Sequence, residues 1–325
     1  MRTIRRILAA VKDPTSRSQP AVAKAAQLAR ALGARLDLFH AITVPLFADL
    51  DSHGGADRKN LERETQEAVC RRLEIIAAKL GDGAKVTASA EWDFPAYEAV
   101  VRHAHRIKAD LVVAERHAGR HFVPWLLHLN DWELLRSCPM PVLLVKTPGA
   151  YRHPVVLAAV DPTHFAKPAK LDDGILQIGS AVARALHGTL HVVHAHPSVQ
   201  SGTKATDAFD PKTAERINSE FATAAKTQFD LLLRPTKIPR RRRHLEGGEP
   251  VDVINAVARV IHSDIVVMGA LSRSGLKRVF IGNTAESLLD RLACDLLIVK
   301  PLRFANRVPS ARRGVRVVSL MPLPL

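Results

Sequence analysis

Cysteine is scarce in this chain of 325 residues: Cys70, Cys138 and Cys294 are the only three, far apart and without a CxxC pair. An odd, scattered trio excludes a disulfide framework and a thiolate zinc site, and a reducing cytoplasm is the expected compartment. Long apolar runs are missing too. Nothing approaches the roughly 20 residues that a bilayer span needs, and the stretch MRTIRRILAAVKDPT reaches Lys12 and Asp13 before a secretory segment forms. Neither secretion nor a membrane partner is expected. The patterns GxxxxGK[ST], GxGxxG, HExxH and GxSxG do not occur, which excludes the phosphate loops, metalloprotease zinc sites and nucleophile elbows those spacings build.

What is present is ordinary for a folded chain. Hydrophobic residues make up 47% and charged residues 24%, close to globular averages of about 45–50% and 25%, and the length suits two domains. The net charge of +15 is local. Residues 1–150 carry 22 Lys/Arg against 17 Asp/Glu, residues 151–302 carry 20 against 15, and residues 303–325 carry five arginines and no acid. Four of the second set form the run Arg240, Arg241, Arg242 and Arg243.

An internal repeat organises the chain. Ala29–Leu32 and Ala183–Leu186 both read ARAL, an offset of 154 that also carries His40-Ala41 onto His194-Ala195, Asp110–Val113 onto Asp264–Val267, Leu134-Leu135 onto Leu288-Leu289, and Lys146 onto Lys300. Near the start the offset is 148, where Asp13-Pro14-Thr15 meets Asp161-Pro162-Thr163. In each copy β-branched runs alternate with amphipathic helical patterns. The strands are expected at Ile4–Val11, Leu36–Ala41, Lys85–Ala90, Leu111–Ala114 and Val142–Val145. In the second copy they are expected at Val155–Val160, Leu190–Ala195, about Lys237–Leu245, Ile265–Met268 and Leu296–Val299. Helices are expected at about Ala21–Leu32, Leu61–Leu80, Ile175–Leu186 and Thr213–Leu232, and after Pro95 and Pro250. Such alternation predicts two tandem doubly wound α/β domains, each a five-stranded parallel sheet flanked by helices. They are placed at residues 1–148 and 153–302, with a tail at 303–325 that lacks a sustained apolar period and is expected to be disordered.

Ligands of such sheets sit at the carboxyl ends of the strands. After the fourth strand of the second copy, Gly269, Gly275 and Gly282 allow close backbone approach, and Asn283 and Thr284 are good N-caps for a helix whose free N–H groups suit a phosphate. The same glycines are also what tight turns and caps require. The stretch resembles the universal stress proteins, whose nucleotide-binding members carry glycine, two residues, glycine, nine residues, glycine, then serine or threonine. Gly269 and Gly282 take the first and third places, while Ser272 stands for the second glycine and Asn283, followed by Thr284, for the hydroxyl residue. The run GNTAE and the closing CDLLIVKP are similar to the tandem, UspE-like branch, over essentially residues 1–302.

The resemblance implies an adenine-nucleotide-hydrolase-like fold, a stress-response or regulatory role, and ATP with magnesium as the ligand of the second domain. By the same likeness Asp161 would contact the adenine or ribose side, Gly269, Ser272 and Arg273 would line the phosphate loop, and Gly282, Asn283 and Thr284 would face the phosphates. It also implies that Val142–Val145 and Leu296–Val299 meet in an internal pseudo-dimer, beyond which further homo-oligomers are open. Dedicated chemistry is not expected; weak ATPase or self-phosphorylating activity is the competing enzyme reading. A retained fold with a repurposed pocket is the other alternative.

In the first copy Glu115, His128 and Leu129 stand where Gly269, Gly282 and Asn283 stand in the second, so nucleotide binding is not expected there. Its aromatic residues Trp92, Phe94, Phe122, Trp125 and Trp132 line either an apolar pocket or, more commonly, core. His194 and His196 share a strand face and suit zinc or copper, yet no third ligand is evident, so these and His187 and His191 read as satisfied or exposed, and His117 with His121 as a weak polar helix face. The run Arg240–Arg243 is either a solvated sheet edge that resists aggregation or, with the arginine-rich tail, a weak nonspecific contact for RNA or DNA.

Overall fold

Central strands of a parallel sheet are covered on both faces and therefore read as unbroken apolar runs. RILAA and LVVAE in the first copy, and VVLAA and IVVMG in the second, form such strands, and Ile7, Leu8, Leu111, Val112, Val156, Leu157, Val266 and Val267 have no exposed surface. The computed structural model describes residues 3–44, 46–48, 55–81, 83–116, 124–163, 170–199, 210–270, 283–302, 304–315 and 317–319, without the side chains of 46–48, 55–57, 124–130, 211, 283 and 317–319.

Two units result: Thr3–Ala150 together with Ala305–Leu325, and Tyr151–Phe304 together with Met1–Arg2. The first runs β1 (Arg6–Ala10), α1 (Pro20–Leu32), β2 (Arg35–Ile42), β3 (Leu46–Ala48), α2 (Gly55–Lys79), β4 (Val86–Trp92), α3 (Ala96–Arg106), β5 (Leu111–Glu115), α4 (Pro124–Ser137) and β6 (Val142–Val145). Its five main strands are all parallel, in the order β4-β2-β1-β5-β6. The second runs β7 (Val155–Ala159), α5 (Leu171–Ala185), β8 (Thr189–His196), α6 (Pro211–Leu233), β9 (Arg243–Gly247), α7 (Pro250–Val260), β10 (Ile265–Gly269), α8 (Asn283–Arg291) and β11 (Asp295–Val299). It repeats the parallel order as β9-β8-β7-β10-β11. The order reverses between β1 and β5 and again between β7 and β10, which opens a crevice at the carboxyl ends of those strands. No helix among the described residues is long and apolar enough to cross a membrane.

Local chemistry sets the element ends. Pro20 opens α1, and Gly33 closes it in the left-handed conformation at φ 63°. The equivalent position in the second copy is His187, which holds φ 53° without glycine's freedom. Asp210 caps α6, its carboxylate accepting from the Lys212 and Thr213 amides at 3.0 and 3.1 Å.

Two expectations are corrected. The strand expected at Lys237–Leu245 is confined to Arg243–Gly247, because Pro239 has no amide to donate and Arg240–Arg242 tighten into a 3-10 turn. The tail is also ordered where it is described. Val317–Ser319 form β12, parallel to β3, and Val308 is buried. Arg313 donates to Glu98 at 2.9 and 3.2 Å, and its amide donates to Asp93 at 2.9 Å. The tail lacks an apolar period of its own, but buried carboxylates of the first unit hold it.

Candidate functional site

In the second unit the crevice between β7 and β10 gathers several polar groups. Asp161 follows β7; its carboxylate accepts from the Thr163 hydroxyl at 2.9 Å, and its amide donates to the Asp172 carboxylate at 3.3 Å. Asp172 is buried in the first turn of α5. The Asp161 side chain is 38% exposed, and its Oδ1 lies 3.9 Å from Nδ1 of His194 near the end of β8. His194 is only 1% exposed and faces the Val160 carbonyl through Nδ1 at 3.1 Å, which makes that nitrogen the donor. Burial pushes its pKa down, so the ring is neutral and Nε2 is a buried acceptor, without a hydrogen-bond partner among the described residues.

Gly269 ends β10 beside this cluster. A Cβ there would stand 2.7 Å from Cδ2 of Leu171, so packing against α5 favours glycine at this position unless the Leu171 side chain shifts. Asn283 and Thr284 begin α8. Ser272, Arg273 and Gly282 lie outside the described residues, as do Phe122, His117 and His121 and the side chain of Trp125. The fold thus brings Asp161 and Gly269 to the carboxyl ends of neighbouring strands and adds Asp172 and His194, which composition alone did not mark as partners. The repeat held the signal. In the first unit His40 faces the Val11 carbonyl through Nδ1 at 2.8 Å, again with its pKa lowered by burial, and Asp13 accepts from the hydroxyl and amide of Thr15 at 2.6 and 2.8 Å. Those bonds, the hydroxyl first, hold the Asp13 carboxyl below its ordinary pKa. There Glu115 occupies the position of Gly269.

The first unit also holds a buried ionic cluster at the end of β4. Arg102 lies between Asp93 and Glu98 at 2.8 and 2.9 Å, and all three are buried. The cluster joins the tail through Arg313 and through the Pro309 carbonyl, which accepts from Arg102 at 3.2 Å. Arg312 pairs with Glu91 at 3.2 Å. Glu91 is held at a pKa of about 2, foremost by its hydrogen bond with His103. Trp92 is buried, its indole N–H donating to the Glu62 carbonyl at 2.9 Å, and Phe94 lies beneath the Arg313 guanidinium.

The four consecutive arginines have different surroundings. Arg240 and Arg241 are exposed, and Arg242 is partly covered beside the stacked rings of His191 and His244. Arg243 donates twice to the Ile238 carbonyl, at 2.9 and 2.7 Å. Of the strand histidines, His196 faces the Pro197 carbonyl. No cluster of three metal-ligating side chains forms among the described residues.

This geometry can be compared with known proteins. The model of the universal stress protein family matches residues 3–146 and again residues 155–300. Universal stress protein E of Salmonella typhi is 29% identical over 312 residues, covering 92% of this chain and 95% of that one, and its Escherichia coli K12 counterpart is 28% identical over the same span. A functionally unknown protein from Pseudomonas aeruginosa PAO1 has 25% identity and a TM-score of 0.65, with 92% of this chain and 94% of that chain covered. A universal stress protein from Archaeoglobus fulgidus, 19% identical with a TM-score of 0.58, shares the fold over 92% of this chain and 97% of that one. Two family matches in one chain, each on a five-stranded doubly wound sheet, place this chain in the universal stress protein family, in the tandem form similar to universal stress protein E.

Proposed function

We propose that this chain is a cytoplasmic stress-response regulator whose second domain binds an adenine nucleotide, ATP with magnesium, as a signal rather than as fuel. The observation that carries the reading is Asp161, an accessible carboxylate at the strand-order reversal, set beside Asp172 and the neutral His194. A carboxylate so placed suits ribose hydroxyl donors, and Gly269, Ser272, Arg273, Gly282, Asn283 and Thr284 would hold the phosphates. Magnesium would neutralise phosphate charge. The two domains would pair within the chain as a pseudo-dimer. Native mass spectrometry of protein purified without added ligand, followed by calorimetric titration with ATP and magnesium, tests the reading. Saturable micromolar binding that Asp161→Ala and Gly282→Val abolish is expected; no binding at millimolar ATP overturns it. Turnover at high protein concentration would instead favour a weak ATPase or self-phosphorylating enzyme.

A second reading rests on the exposure of Arg240 and Arg241: weak, nonspecific RNA or DNA binding. It requires a steep salt dependence that disappears when Arg240–Arg243 become serine.

A further inference from the structure

Arg30 in α1 and Arg184 in α5 occupy the same place in the repeat. In the first domain Arg30 reaches across to the loop after α2, where it donates to the Leu80 carbonyl and its stem lies 3.6 Å from the Cβ position of Gly83. The second domain builds this corner differently. The two bonds from Arg243 to the Ile238 carbonyl stitch the loop after α6 onto itself, and Arg184 turns back along its own helix to the Ser180 carbonyl at 3.3 Å. Between α5 and the loop lies a cleft of about 560 Å³. It opens beside Gly188 and Leu190 at the start of β8, whereas Asp161 and His194 stand at the other end of the strands.

The lining has two characters. Leu176, Leu190 and Ile238 supply apolar surface, and Arg184, Lys237 and Arg242 supply three positive charges from two elements. Among the described residues no carboxylate lines the cleft and none of the three cations is ion-paired. The stacked His191–His244 pair, with ring nitrogens 3.0 Å apart, adjoins Arg242. Burial first, then His244 and Arg242, push the His191 pKa down to about 4. Arg184, Lys237 and Arg242 supply the positive charge of the lining without histidine protonation.

We propose that this cleft binds a small amphipathic anion: one carboxylate or phosphate head held between Arg184 and Arg242, on an apolar body of roughly six to ten carbons lying against Leu176, Leu190 and Ile238. The site is separate from the nucleotide reading and survives its failure. Calorimetric titration of the full chain with sodium octanoate, alongside n-octanol and inorganic phosphate as the two halves of the ligand, tests it. Octanoate saturates one site and shifts the methyl resonances of Ile238, whereas each half binds at least about tenfold more weakly. The double variant Arg184→Glu with Arg242→Glu raises the octanoate Kd at least about tenfold, and Ile238→Ser weakens octanoate while leaving phosphate unchanged. Both arginines are surface residues, and Arg184→Gln with Arg242→Gln repeats the test should the charge reversal disturb folding. Absence of saturable octanoate binding, equal binding of octanol or of phosphate, or undiminished affinity in the arginine variants overturns the proposal.

Discussion

Replacing Arg313 by alanine isolates what the tail does for the first domain. The residue's guanidinium forks onto Glu98, whose side chain is 7% exposed, so its loss leaves Asp93 and Glu98 with Arg102 as their remaining cationic partner in the cluster. Breaking a fully buried pair costs about 3–5 kcal/mol, while a surface pair is worth about 0–1 kcal/mol. Because the Arg313 side chain is 49% exposed, the expected loss lies between these limits, about 1.5–3 kcal/mol. Arg313→Lys retains the charge but not the fork and should lose roughly half of that. All three tryptophans, Trp92, Trp125 and Trp132, lie in the first copy, so urea unfolding followed by tryptophan fluorescence reads that domain directly. A double-mutant cycle with Glu98→Gln then separates the pair from changes elsewhere. A loss below about 0.5 kcal/mol, or a coupling near zero, would show that the fork is an ordinary surface contact and refute the reasoning.

Four further outcomes are expected. His40, His191, His194 and His244 all have pKa values lowered, foremost by burial. Their stabilisation is complete above the ordinary value of 6.5 and is lost as pH falls through 6.5 toward the folded values, His191 reaching about 4, so the urea midpoint should drop between pH 7.5 and about 5. Gly269→Ala forces a Cβ against Leu171 and should cost about 1–3 kcal/mol in thermal unfolding, with Leu171→Ala in the same chain relieving part of the clash. Asp210→Ala removes the cap of α6 and should cost about 1 kcal/mol by urea unfolding. His187→Gly, by contrast, relieves a left-handed backbone and should raise stability by about 0.5–1 kcal/mol, read as a higher melting temperature.

The sheet was legible because buried parallel strands are written as contiguous β-branched runs, and because every such run appears twice at one spacing. Boundaries were less so: α5 begins at Leu171 rather than Ile175, since Asp172 and Asp173 favour a helix's first turn although they interrupt the apolar period. What stayed hidden depends on partners distant in sequence. Arg313 reads as one more tail charge until Asp93 and Glu98, more than 200 residues earlier, are seen to receive it. Arg243 reads as one of four like charges until its bonds to Ile238 separate it from the others. At the candidate site, Gly269 and Asp161 were visible as a motif, whereas the pairing of Asp172 and His194 with Asp161 emerges only when β7, β8 and α5 converge.

The tail contact has a consequence for synthesis. Asp93 and Glu98 leave the ribosome with their first domain, but Arg313 follows the linker by about 160 residues, on the order of 10–30 s at about 5–20 residues per second. During that interval Asp93 and Glu98, two carboxylates, share Arg102 but lack Arg313 as a cationic partner. The domain's final consolidation therefore waits until the second domain and the tail have been synthesised, and a chain stalled within the second domain would present a first domain without its Arg313 contact to proteases and chaperones.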